Sequence, residues 1–142
     1  MGEGGVEIKA DTVLDADLTC AQGPALVLVA DGVVLDLGGH TVSGAPGGVT
    51  EGPGIMLRNV SGCTLRNGRV TKFDAGVAIH GGAGNLVEGV TVEDNIGTPD
   101  SDFGDGIVIN DSRDNVLRGN VVRRNGPFSG ISLGPRASTR ST

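Results

Sequence analysis

At 142 residues the chain holds one domain's worth of core. With 26 Gly, three Phe and neither Trp nor Tyr, that core must come from Val, Leu and Ile. A net charge of -6 with both signs interspersed leaves no basic stripe for nucleic acid. The longest apolar run, Ala25 to Ala30, is far too short to span a bilayer.

Met1 to Gly5 lacks the basic and apolar segments of a secretion signal. A degenerate phrase, Gly5-Val6-Glu7-Ile8, then opens a series of repeats. Four segments beginning at Ala25, Gly54, Gly76 and Gly106 align almost without gaps, and a fifth starts at Gly130-Ile131-Ser132-Leu133. Their first strand carries Leu26, Ile55, Val77, Ile107 and Ile131, and two residues on Leu28, Leu57, Ile79, Ile109 and Leu133. Spacing of two places both sets on one face of a strand. A second strand supplies Leu37, Leu65, Val87 and Leu117, after a one-residue adjustment before Leu35; a third supplies Val42, Val70, Val92 and Val122.

Gly, Asn and Asp separate these strands, and no segment keeps a helical apolar period. Short strands with no helices to cover them bury themselves by coiling, each stacking about 4.8 Å from its counterpart. The reading is all-β: a single-stranded parallel β-helix of about five rungs of three short strands. It makes 1–142 one domain, with 1–24 a partial coil, 25–129 four full rungs with corner loops, and 130–142 an incomplete rung with a polar tail. That tail has no further strand pair, leaving a fragment of a longer β-helix, a folded-back tail or a partner-capped end.

One inward column reads Leu35, Cys63, Asn85, Asn115, a short asparagine ladder over a buried thiol. Cys20 lies about two rungs from Cys63, roughly 10 Å away, so two free thiols are expected. Extra residues fall at one corner: Ala45 to Pro53, Ile96 to Asp105 and Gly126 to Ser129, with only Asp74-Ala75 between. Loops gathered on one side of a solenoid form its binding face, here with a notch over Lys72 and Asp74.

No cofactor is expected, with calcium the one alternative: in the third loop Asp94, Asp100 and Asp102 have the oxygens for it. Asp100, Asp102 and Asp105 are the catalytic candidates, as a carboxylate pair; the plain alternative is a polar loop using Asp for turns. His80 faces outward beside Arg58 and Asn110, a set suited to a sugar carboxylate, whereas His40 after Gly38-Gly39 reads as packing or hydrogen bonding. Val27, Met56, Ala78 and Val108 form an apolar stripe on the outward side of the first strand. That stripe calls for a second subunit or intramolecular cover.

Leu18-Thr19-Cys20, followed by Val34-Leu35-Asp36-Leu37-Gly38-Gly39-His40-Thr41-Val42-Ser43-Gly44, resembles the opening coils of the right-handed parallel β-helix repeat family in the pectin lyase-like superfamily. The later Gly-Ile-x-Ile, Asn-x-Leu and Asn phrases resemble its generic rungs, over nearly the whole chain. The resemblance implies a right-handed coil and a secreted or cell-surface setting. Relatives of this kind include pectate lyases, polygalacturonases, alginate epimerases, adhesins and phage tailspikes, and fold alone does not choose among them. The paired-aspartate signature of the polygalacturonases and the Asp-Pro-His signature of the epimerases are absent.

Two functions follow as expectations. One is a noncatalytic scaffold or interaction module, a fragment or self-associating unit of a larger extracellular-type protein. The alternative is a carbohydrate-active lyase, hydrolase or epimerase, or a sugar-binding module, acting on acidic polysaccharide through Arg58, Arg69, Lys72, Arg123 and Arg124. The lack of Trp and Tyr to stack on sugar rings weighs against the second.

Overall fold

A computed structural model describes residues 6–46, 50–97, 104–134 and 137–141, with the side chains of 140 and 141 left out. Among these residues every regular element is a strand. In chain order they are β1 (Val6–Ile8), β2 (Thr12–Val13), β3 (Leu18–Cys20), β4 (Leu26–Leu28) and β5 (Val34–Asp36). Next come β6 (Thr41–Gly44), β7 (Thr50–Arg58), β8 (Thr64–Thr71), β9 (Phe73–His80) and β10 (Leu86–Glu93). Finally there are β11 (Asp105–Asn110), β12 (Asn115–Arg118), β13 (Val121–Arg123), β14 (Ile131–Leu133) and β15 (Thr139–Ser141).

All the pairings are parallel and join one rung to the next, so the chain is a right-handed parallel β-helix. The first sheet runs β1-β4-β7-β9-β11-β14 and the second β2-β5-β8-β10-β12-β15, with β3, β6 and β13 beside it. In the middle rungs the second and third strands of the repeat merge into the single strands β8 and β10. These bend at Asn67 and Gly89, both at positive φ.

Register confirms most of the expected columns. Leu26, Ile55, Val77, Ile107 and Ile131 stack, as do Leu28, Leu57, Ile79, Ile109 and Leu133. Val42, Val70, Val92 and Val122 stack as read, with Leu18 beneath them. In the three middle phrases the opening glycine, Gly54, Gly76 or Gly106, is a packing requirement: a Cβ on Gly54 would stand 2.6 Å from Val70 Cγ1, and one on Gly106 would stand 2.9 Å from Val122 Cγ1. First and third strands meet there without room for a methyl group. Each fully buried Leu, Ile or Val adds about 1.5–3 kcal/mol to the coil.

Three expectations need correction. Leu35, not Leu37, stacks on Leu65, Val87 and Leu117, and Val34 pairs with Thr64, so Val33 stands opposite Cys63. The extra residues of that rung lie after Asp36, where Gly38 and Gly39, both at positive φ, let the corner bulge outward. Leu37 then turns inward against Gly68. Within the segment 1–24 the described residues, 6–24, hold more than a partial coil: β1, β2 and β3 each pair with the rung above. Nor is the end of the chain strand-free, since Thr139–Ser141 pairs with β12 and Ala137 packs on the core.

The corners repeat as faithfully as the strands. Asn59, Gly81 and Asp111 share one left-handed column; Gly62, Gly84 and Asp114 share another. Asn67, Gly89 and Gly119 form a third, and Lys72, Asp94 and Arg124 a fourth. Gly, Asn and Asp suit these positions; Lys72 and Arg124 hold them at a cost of about 1–2 kcal/mol each.

Candidate functional site

The asparagine column has the role its sequence suggested. Asn85 Oδ1 accepts the Cys63 N–H at 2.9 Å, its Nδ2 donates to the Val60 carbonyl at 3.0 Å, and Asn115 Oδ1 accepts the Asn85 N–H at 3.0 Å. One further column, Asn95 and Asn125, and the single Asn120 escaped the sequence reading. Asn95 Oδ1 accepts from Phe73 N and Asn125 Oδ1 from Asn95 N, while Asn120 takes the Val90 N–H and donates to Val87 O. Recurrence of Asn at matching offsets was the available signal. These side chains satisfy corner backbone groups that no ladder reaches.

The predicted ligand residues separate into two places. Arg58, His80 and Asn110 stand in register at the ends of β7, β9 and β11, with Arg58 and His80 exposed. Lys72 and Asp74 lie at the other end of β9, about 20 Å away by strand rise. Lys72 is exposed, but Asp74 is buried, so the expected notch does not present its carboxylate. Asp105 is buried too, its Oδ1 accepting the Ser129 N–H at 2.8 Å. Asp100 and Asp102 lie outside the described residues.

The corner between second and first sheets gathers charges that the sequence left scattered. The buried Glu93 receives Arg123 Nε at 2.7 Å and Arg124 Nη2 at 3.0 Å on one oxygen and Arg69 Nε at 2.5 Å on the other. Arg124 also grips Asp94 through Nε at 2.8 Å and Nη2 at 3.2 Å. The hydrogen bond from Arg69, then that from Arg123, holds the Glu93 carboxyl below its usual range; Arg124 does the same for Asp94. At Asp94, one of the calcium candidates, both oxygens take hydrogen bonds from the Arg124 guanidinium. Among the described residues no group of three His, Cys, Asp or Glu is placed to hold a metal.

Neither cysteine is in a disulfide and both are buried, as expected. Cys63 Sγ donates to the Ala30 carbonyl at 3.2 Å, and burial pushes its thiol up. His40 Nδ1 lies 3.3 Å from Asp17 Oδ1, which also accepts the Thr41 N–H, a structural role.

The apolar stripe runs along the first sheet. Val27, Ala78 and Val108 are buried and Met56 is half-buried within a single chain. They stack directly on one another, and Arg58 Nη2 reaches the Met56 sulfur at 3.5 Å.

Parallel stacked sheets, inner aliphatic columns and asparagine-capped corners define a β-solenoid. A family profile described as a right handed beta helix region matches residues 4–141, and the chain belongs to that family. No curated protein and no solved structure matches it. No helix among the described residues is long and apolar enough to cross a membrane.

Proposed function

We infer that this chain is a noncatalytic β-helix module, a scaffold or interaction unit of an extracellular-type assembly. The observation behind this reading is the commitment of two of its buried carboxylates to structure: Glu93 pairs with three arginines across neighbouring rungs, and Asp105 caps the Ser129 N–H. Glycoside hydrolysis needs one carboxyl free to move a proton and a second to act as nucleophile or base. Neither of these two has that freedom.

A second reading, binding of acidic polysaccharide, is favoured by the exposed Arg58 and His80 with Asn110 beside them in register. One experiment tests both. The protein is incubated with pectate, polygalacturonate and alginate, with and without calcium, while unsaturated product, reducing ends and bound polymer are followed. Absence of turnover is expected. Turnover abolished by Asp102→Ala or Asp105→Ala would overturn the module reading, and retention of polymer lost in Arg58→Ala would establish the second.

A further inference from the structure

The outer face of the second sheet carries an ordered charge pattern. Register aligns Asp36, Arg66, Glu88 and Arg118 on successive rungs, so the signs alternate along the solenoid. Arg66 Nε meets Asp36 at 3.1 Å and Arg118 Nη1 meets Glu88 at 3.4 Å within the chain. The side chains of Arg66 and Arg118 are 45% and 56% exposed, and that of Glu88 33%, so all three remain open to a further partner. Beside this ladder runs a second outward column, Val34, Thr64, Leu86 and Val116, half-buried and mostly apolar. A shallow depression lined by Arg66, Glu88, Arg118 and the small corner residues Gly89 and Gly119 joins the rungs.

A pattern of minus, plus, minus, plus is its own complement when reversed. A two-fold axis along the strands, passing between the Arg66 and Glu88 rungs, turns the ladder end for end against a second copy. Arg66 then faces the second copy's Glu88 twice over, and Asp36 faces its Arg118 at each end. The same operation lays Val34 against Val116 and Thr64 against Leu86. An axis along the solenoid would instead set Arg66 on Arg66 and Glu88 on Glu88, which repel. We propose that this face is a homodimer interface whose ladder pairs antiparallel with that of a second copy. A charged column beside an apolar one has the anatomy of a small specific interface, and a face this narrow makes a weak, salt-sensitive dimer.

The inference rests on the module reading and names its partner, yet the two fail separately. Catalytic turnover would sink the first; the oligomeric state decides the second. The test is sedimentation velocity across a concentration series of the full chain. Wild type is expected to move from monomer to dimer at low salt and back to monomer at about 0.5 M salt, where screening is short-ranged. Arg66→Glu and Glu88→Arg alone each set like charges face to face and are expected to weaken the dimer at least about tenfold. Mixing the two variants restores both central pairs and is expected to recover the dimer as a heterodimer.

Arg113→Glu changes net charge as Arg66→Glu does, but at an exposed residue away from the ladder, and is expected to leave the dimer intact. Circular dichroism of each variant verifies folding; a variant that does not fold is replaced by Arg66→Gln, which removes the central pair without reversal. The proposal is overturned by a wild type that stays monomeric at low salt, by oligomers that grow past two, or by a variant mixture no tighter than either variant alone.

Discussion

Replacing Asn85 with Ala removes one side chain and strands two backbone groups. The Cys63 N–H and the Val60 carbonyl lose partners at 2.9 and 3.0 Å, in a site where Asn85 is 1% exposed. An unsatisfied buried polar group costs about 1–3 kcal/mol, so the pair sums to about 2–6 kcal/mol, and about 4 is the central expectation. For a chain of this length that is a fall in Tm of about 8–16 °C. Asn120→Ala provides the internal control. Its side chain makes the same two kinds of bond, to Val90 N and Val87 O, both at 2.9 Å, but the residue is half-buried and water can take its place. A loss of about 1 kcal/mol is expected there. Urea unfolding followed by far-ultraviolet circular dichroism measures both. A loss below about 1 kcal/mol for Asn85→Ala, or equal losses at the two sites, would refute the claim that buried amide side chains hold the corners together.

Two other expectations are open to direct measurement. Glu93→Gln removes the anion that pairs with Arg69, Arg123 and Arg124, and should cost about 2–3 kcal/mol at pH 7. Because the folded-state carboxyl titrates below its ordinary value of 4.5, its contribution is complete above that value and disappears as pH falls through the folded value; the gap between wild type and variant should narrow in acid denaturation below about pH 4.5. Cys20 and Cys63 should resist a thiol reagent in the native protein and both react in denaturant; a native reaction as fast as the unfolded one would contradict their burial.

The coil was legible because aliphatic residues recur at a spacing that only stacked strands satisfy, and Val70 over Val42 or Ile55 over Leu26 follows from that alone. The misplacement of Leu37 shows where periodicity runs out. A pair of glycines can be accommodated before or after a short strand with equal hydrophobic matching, and backbone conformation at Gly38 and Gly39 decides it. Burial of Val27 and Ala78 was not legible either, since an outward apolar residue reads the same whether another part of the chain lies over it or a second molecule does. Of the candidate site, the register of Arg58, His80 and Asn110 was readable, while the convergence of three arginines on Glu93 was not. Ion pairs across rungs depend on side-chain direction at left-handed corners such as Asp94 and Arg124.

Successive rungs of this coil differ in length: the step from Cys63 to Asn85 takes 22 residues and that from Asn85 to Asn115 takes 30, yet both close with the same hydrogen bond. The surplus is confined to one edge, since the step from Leu86 to Val116 keeps the register that Thr64 to Leu86 set. Rungs of unequal length thus share one register, and the strands on both sides of the longer step stay aligned as if the turns were equal.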